Sequence, residues 1–178
     1  MEPLKNRKTM RLKYGNYDAF GTFFITICTK NRQCILSRVT EPTETTHAHV
    51  VLLPCGEIAE KHIREMGQFY PNVSVEKYVI MPNHIHFLLS VRPFSPPPSA
   101  SIKTNTATVQ NSTVSRFIST FKRFCNKEYG ENIWQYRSYD HIIRNRDDHG
   151  EITRYIHENP TNWYYDKLYS EKRTECFT

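Results

Sequence analysis

Two histidines set inside an apolar run constrain this chain more than any other feature. The run is Val79-Ile80-Met81-Pro82-Asn83-His84-Ile85-His86-Phe87-Leu88-Leu89-Ser90-Val91. Residues two apart on a strand project from the same face. His84 and His86 therefore aim two imidazoles at one point, while Ile85, Phe87 and Leu89 face the other way. Convergent imidazoles are a usual way to hold a divalent metal. Core histidines satisfied by hydrogen bonds would give the same spacing. His47-Ala48-His49 repeats the spacing in a Pro/Glu/Thr-rich connection without a long apolar strand around it. That pair reads as coincidence.

The flanking pattern supplies the elements such a strand needs. Phe20 to Thr29 is β-branched and aromatic, as a first core strand should be. Pro54 to Phe69 is predicted helical, because Ile58, Ala59, His62, Ile63 and Met66 recur at three- and four-residue spacing. Val73 to Pro82 and His84 to Val91 read as adjacent strands punctuated by Pro82-Asn83. Residues 92–112 are Pro/Ser/Thr-rich and predict a flexible, solvated connection.

Val114 to Tyr129 predicts a second helix, with Arg116, Lys122 and Arg123 largely outward and Gly130 ending it. His141-Ile142-Ile143 reads as a short strand. A last helix from about Asp148 to Glu158 can be capped by Asp147 or Asp148. The order strand, helix, strand, strand, helix, strand, helix is that of an α+β ferredoxin-like sandwich. Its antiparallel sheet carries helices on one face, and a C-terminal helix is added. RNA-recognition-type sheets share this order, so the fold does not choose a function.

At 178 residues the chain suits one domain spanning 1–178. The formal net charge of +6 is uneven. A basic arm over about residues 1–16 carries Lys5, Arg7, Lys8, Arg11 and Lys13, an electrostatic footprint suited to phosphates. The five cysteines are widely spaced with no Cys-x-x-Cys pair, which argues against a zinc ribbon and a disulfide framework. No stretch approaches the length of a membrane span, and the charged start lacks a signal-peptide core. A cytoplasmic, reduced protein without a membrane partner is expected.

Three blocks in order resemble one family. Met81 to Leu89 resembles the signature of the IS200-like, single-tyrosine HUH transposases, most of all the REP-associated tyrosine transposases. Ile133-Trp134-Gln135 with Tyr139 to Asn145 resembles a second block. Arg154-Tyr155-Ile156-His157-Glu158-Asn159-Pro160 resembles the block that carries the catalytic tyrosine. The likeness spans roughly residues 17 to 165 and is absent from 92–112.

The resemblance implies a metal-dependent enzyme that cleaves and joins single-stranded or hairpin-associated DNA through a 5′-phosphotyrosine intermediate. It makes Tyr155 the nucleophile and His84 and His86 ligands of Mg²⁺ or Mn²⁺. Asn159 stands where the family carries a polar third ligand, often Gln, although it can equally cap the helix. Ile152, Tyr155, Ile156 and Asn159 share one helical face, which singles out Tyr155 among the tyrosines. Tyr139 is the rival nucleophile. The arm, with Arg116, Lys122 and Arg123, is expected to hold DNA backbone. A monomer or homodimer, nucleoid-associated when bound to DNA, is expected. A non-catalytic nucleic-acid-binding module and a phosphoesterase that uses water are the alternatives.

Overall fold

The computed structural model describes residues 20–41, 47–93 and 113–169. The basic arm, including Lys5, Arg7, Lys8, Arg11 and Lys13, lies outside the described residues. So does all of the 92–112 connection except Arg92 and Pro93.

The observed strands are β1 (Gly21–Thr29), β2 (Ser37–Val39), β3 (Val50–Leu52), β4 (Val73–Met81), β5 (His84–Val91) and β6 (Trp134–Ile143). The helices are α1 (Pro54–Phe69), α2 (Thr113–Tyr129) and α3 (Arg146–Glu158). Four strands form one antiparallel sheet in the order β4-β5-β1-β6. This is the α+β ferredoxin-like arrangement expected from the sequence. Two features exceed the expectation. A small β2–β3 sheet precedes α1, and β6 runs ten residues, well beyond His141-Ile142-Ile143. Tyr139 is therefore within a strand.

The period of two along β5 divides the molecule into layers. Ile85, Phe87 and Leu89 join Phe23, Ile25 and Ile27 of β1 in one buried core, covered by Ala59, Ile63 and Met66 of α1 and Phe117, Ile118 and Phe121 of α2. On the reverse face, Phe24, Val79, Met81 and Leu88 pack with Ile156 of α3 and Trp163. The helices on one face are thus α1 and α2, and the added C-terminal helix covers the other.

Local chemistry sets the helix ends. Pro54 occupies the first turn of α1, where its missing N–H costs nothing. Gly130 ends α2 at φ +93°, with its N–H donating to Asn126 O. Asn145, rather than Asp147 or Asp148, caps α3, because its side-chain oxygen accepts from the Asp148 N–H. The two aspartates sit instead in the first turn, where the helix dipole favours them.

Gly56 sets the approach of α1 to the chain before β2. A Cβ built there would collide with the Leu36 carbonyl group, whereas one at Gly67 on the same helix meets nothing within 4 Å. Gly56→Ala should therefore destabilise by about 2 kcal/mol or more through forced backbone displacement. Gly67→Ala should stabilise by about 0.5–1 kcal/mol, since a helical glycine gives up more entropy than alanine. Urea denaturation of the two variants checks both signs.

Candidate metal and tyrosine site

The reverse face of the sheet brings the two histidines of β5 to one point. His84 is fully buried and His86 nearly so, and their Nε2 atoms lie 3.0 Å apart. Each ring is oriented from its other nitrogen. His84 Nδ1 donates to the Asn83 amide oxygen at 2.8 Å. That oxygen is fixed because Asn83 Nδ2 donates to Leu168 O at 2.8 Å and to Arg32 O at 3.4 Å. His86 Nδ1 shares a 2.8 Å hydrogen bond with Thr26 Oγ1 from the neighbouring strand. Thr26 can donate or accept. When it accepts, both Nε2 lone pairs point at the same place, as a pair of metal ligands requires.

Tyr155 reaches this pair from α3. Its hydroxyl is 3.4 Å from His86 Nε2 and donates to Asp166 Oδ2 at 3.3 Å. Its ring packs edge-on against Phe24 and His86. The residue is 42% exposed. Burial first, then the charge of Asp166, raises the Tyr155 pKa to about 12. The phenol rests protonated at neutral pH.

Asn159 lies one turn beyond Tyr155. Residues before proline usually avoid helical geometry, but Asn159 keeps φ −55°, ψ −42° as the C-cap of α3. Capping and a site position thus coexist. The residue is 2% exposed. Its Nδ2 donates to Asp166 Oδ2 at 3.3 Å, and its Oδ1 is buried without a hydrogen-bond partner. An orphaned acceptor of this kind is costly unless a donor or cation meets it.

Asp166 is the residue that sequence reasoning missed. After α3, residues 159–162 turn the chain and Trp163–Tyr165 form a short 3-10 helix. This return places the carboxylate beside the histidines. Nitrogen and oxygen atoms of His84, His86 and Asp166 all lie within 4.8 Å of one another, a grouping able to hold a metal ion. The buried aromatic Trp163, following turn-forming Asn159-Pro160, is the signal that the tail folds back. Nothing local marks Asp166 as the residue delivered.

The other expected residues fall in different places. Arg116 and Arg123 are exposed on α2, whose layer lies across the sheet from the histidines, so they do not face this cleft. Lys122 is not outward: Nζ donates to Gln135 O at 2.7 Å. Trp134 is buried against Phe121 and packs in the core. Tyr139 pairs with Thr26 and shares its face, one strand further from His86 than Thr26. His141 is engaged with Asp148 at 3.1 Å.

The family profile described as "Transposase IS200 like" matches residues 22–159, which takes in both histidines, the tyrosine and Asn159. The chain belongs to the IS200-like transposase family. It is therefore a DNA-processing enzyme. An uncharacterized protein of Haemophilus influenzae is 28% identical over 176 residues, covering 93% of this chain and 94% of that protein. The fold is also that of a solved REP-associated tyrosine transposase bound to a REP hairpin. That structure matches with a TM-score of 0.59 and 22% identity, over 88% of this chain and 76% of that one. Among the described residues no helix is long and apolar enough to cross a membrane.

Burial, then Arg32, lowers the His84 pKa to about 3. Burial, then His84, holds His86 well below its ordinary value, with Asp166 opposing. Free histidine titrates near ~6.5, so below that pH the unfolded chain binds protons that the folded metal-free chain does not. Stability must then fall as pH drops from about 6.5 toward the folded values. In a chelator, the thermal midpoint should fall between about pH 7 and pH 5, and fall less for His84→Gln. Circular dichroism melts across that range check the sign.

Proposed function

We propose that this transposase cleaves and rejoins single-stranded DNA beside a hairpin, in the manner of the REP-associated branch, with Tyr155 as nucleophile. The observation that carries the reading is the Tyr155 hydroxyl, 3.4 Å from His86 Nε2, at a site where buried nitrogen and oxygen ligands converge. Attack by the phenolic oxygen on phosphorus forms a 5′-phosphotyrosine bond and breaks the bond to the 3′ oxygen. That oxygen leaves as a 3′-OH. The phosphodiester energy is kept in the new link, so rejoining needs no ATP. A phenol with a pKa near 12 is a weak nucleophile until its proton is removed. Its hydrogen bond to Asp166 Oδ2 aims that proton away from the histidines.

The residues present fit a divalent ion. His84 and His86 can both offer Nε2, Asp166 offers a carboxylate, and Asn159 Oδ1 is buried without a partner. These four would hold Mg²⁺ or Mn²⁺, which when bound supplies charge neutralisation at the non-bridging oxygens of the scissile phosphate. Asn83 and Thr26 fix the imidazoles from behind. The arm residues Lys5, Arg7, Lys8, Arg11 and Lys13 supply backbone contacts, giving salt-dependent affinity. Arg116 and Arg123 contribute only to DNA that passes beyond the sheet edge to the α2 side.

Incubation with hairpin DNA and Mn²⁺, followed by a denaturing gel, tests the reading. Wild type should give a covalent protein–DNA band. Tyr155→Phe removes one oxygen with little change in volume, and should bind DNA within a few-fold while losing both cleavage and the band. His84→Ala and His86→Ala should likewise abolish cleavage and leave binding within a few-fold. Cleavage by Tyr155→Phe without an adduct would identify water as the nucleophile. An adduct formed by Tyr155→Phe would move the role to Tyr139. Binding without cleavage by wild type would reduce the chain to a binding module.

A further inference from the structure

The turn after β1 is strained and held against the histidine strand. It is a 3-10 segment, Lys30–Arg32, in which Asn31 and Arg32 both keep a φ of 55°. That left-handed conformation is costly for residues with a Cβ and persists only where surrounding contacts fix it. Asn83 supplies one such contact. Its Nδ2 donates to Arg32 O at 3.4 Å, while its Oδ1 accepts from His84 Nδ1 at 2.8 Å. Thr29 supplies two more, its N–H donating to Asn83 O at 2.9 Å and its Oγ1 to Gln33 O at 2.8 Å. The turn is therefore bonded on both sides of Arg32 to the residue that precedes the histidine pair or to its own flank.

The side chain of Arg32 ends beside the site. Its Nη1 donates to Lys167 O at 3.1 Å, and the preceding residue is Asp166, whose carboxylate joins the histidine pair. The guanidinium charge is felt at His84, where it adds to burial in lowering the pKa, and at Cys28, where it opposes burial. Cys28 pairs with His84, and directly paired antiparallel residues point the same way. Both groups that sense the charge thus lie on the histidine face. Arg32 is half-buried, yet among the described residues it makes no ion pair with a carboxylate. The Lys167 carbonyl takes one of its five N–H donors. A guanidinium with donors to spare matches two oxygens of a phosphate with parallel N–H groups.

Resting on the single-stranded DNA reading above, we propose that Arg32 grips a backbone phosphate of the strand in the cleft, its guanidinium donating to the non-bridging oxygens. Fluorescence anisotropy with labelled oligothymidylate in a chelator reads this without cleavage. Arg32→Gln should weaken binding and reduce the slope of log affinity against log salt by about 0.7. Arg32→Lys should keep the slope, because the charge is kept. Arg64→Gln, exposed on α1 in the layer across the sheet, should leave it unchanged. With saturating hairpin DNA and Mn²⁺, Arg32→Gln should also slow the covalent adduct roughly tenfold. Arg32→Lys should slow it less, since an ammonium keeps the charge but not the two-pronged contact.

A purely structural tether to Lys167 O would lower the thermal midpoint of Arg32→Gln and leave the salt slope at its wild-type value. That result would overturn the grip, as would an equal loss of slope in Arg64→Gln. Circular dichroism confirms that each variant is folded. If Arg32→Gln is not, Arg32→Lys decides, and an adduct rate equal to wild type overturns the grip. If wild type binds and forms the adduct while folded Arg32→Gln matches it in slope and rate, the grip alone falls. If wild type binds without an adduct and Arg32→Gln loses slope, the grip stands and the tyrosine reading falls. Failure of wild type to bind any single strand overturns both.

Discussion

Everything at this site depends on two imidazole nitrogens held 3.0 Å apart in a buried layer. Strand β5 buries both faces, one in the main hydrocarbon core and the other beside the smaller apolar patch around Leu88. The reverse face carries His84 and His86, whose charged forms burial disfavours, so both rings rest neutral. Neutral rings present lone pairs, and lone pairs brought together want a cation or a proton between them. The surrounding residues follow from that requirement. Asn83 directs one ring and Thr26 the other, and each is itself held by backbone or strand pairing. A carboxylate then arrives from the tail.

Placing the tyrosine is a separate problem, solved by α3 and the turn after it. Ile156 anchors α3 in the apolar patch with Phe24, Val79 and Leu88. Tyr155, one residue earlier, emerges at the rim instead of the centre. Asp166 ties Tyr155 and Asn159 together through one carboxylate oxygen, and its other oxygen accepts the Leu168 N–H. The tail thus closes on the helix it leaves. Arg32 adds a tether from the opposite side, donating to Lys167 O. Its φ of 55° is a conformation that costs a non-glycine residue about 1–2 kcal/mol, which the packed site must offset.

The sequence made some of this legible and hid the rest for physical reasons. Periodicity reports which face of an element is buried. It therefore placed Ile85, Phe87 and Leu89 opposite the histidines, set α1 at its observed ends, and put Tyr155 and Asn159 on one helical face. Periodicity does not report what a short irregular segment carries across space. Asp166 reaches the site through a turn and a single 3-10 helix, and no repeat in its neighbourhood marks it. Lys122 misled for a related reason: its helical position is outward, but its long stem folds back to the carbonyls of a bulge. A bulge depends on pairing between distant strands, and the local pattern of β6 does not show it.

The same distinction explains why the rim differs in kind from the centre. At the centre, His84 and His86 sit on regular β5 and are buttressed from behind by Asn83 and Thr26. At the rim, edge strand β6 leaves regular pairing between Ser138 and Trp134. Three residues stand opposite Cys28 there, and Tyr136 among them is almost fully exposed. The Gln135, Tyr136 and Arg137 carbonyls there all accept from one ammonium, that of Lys122 of α2. Partial burial there lowers its pKa to about 8. A lysine placed to attract DNA would keep its charge in water. Lys122 instead spends its charge on the backbone carbonyls of β6, which ties α2 to the irregular part of the edge strand.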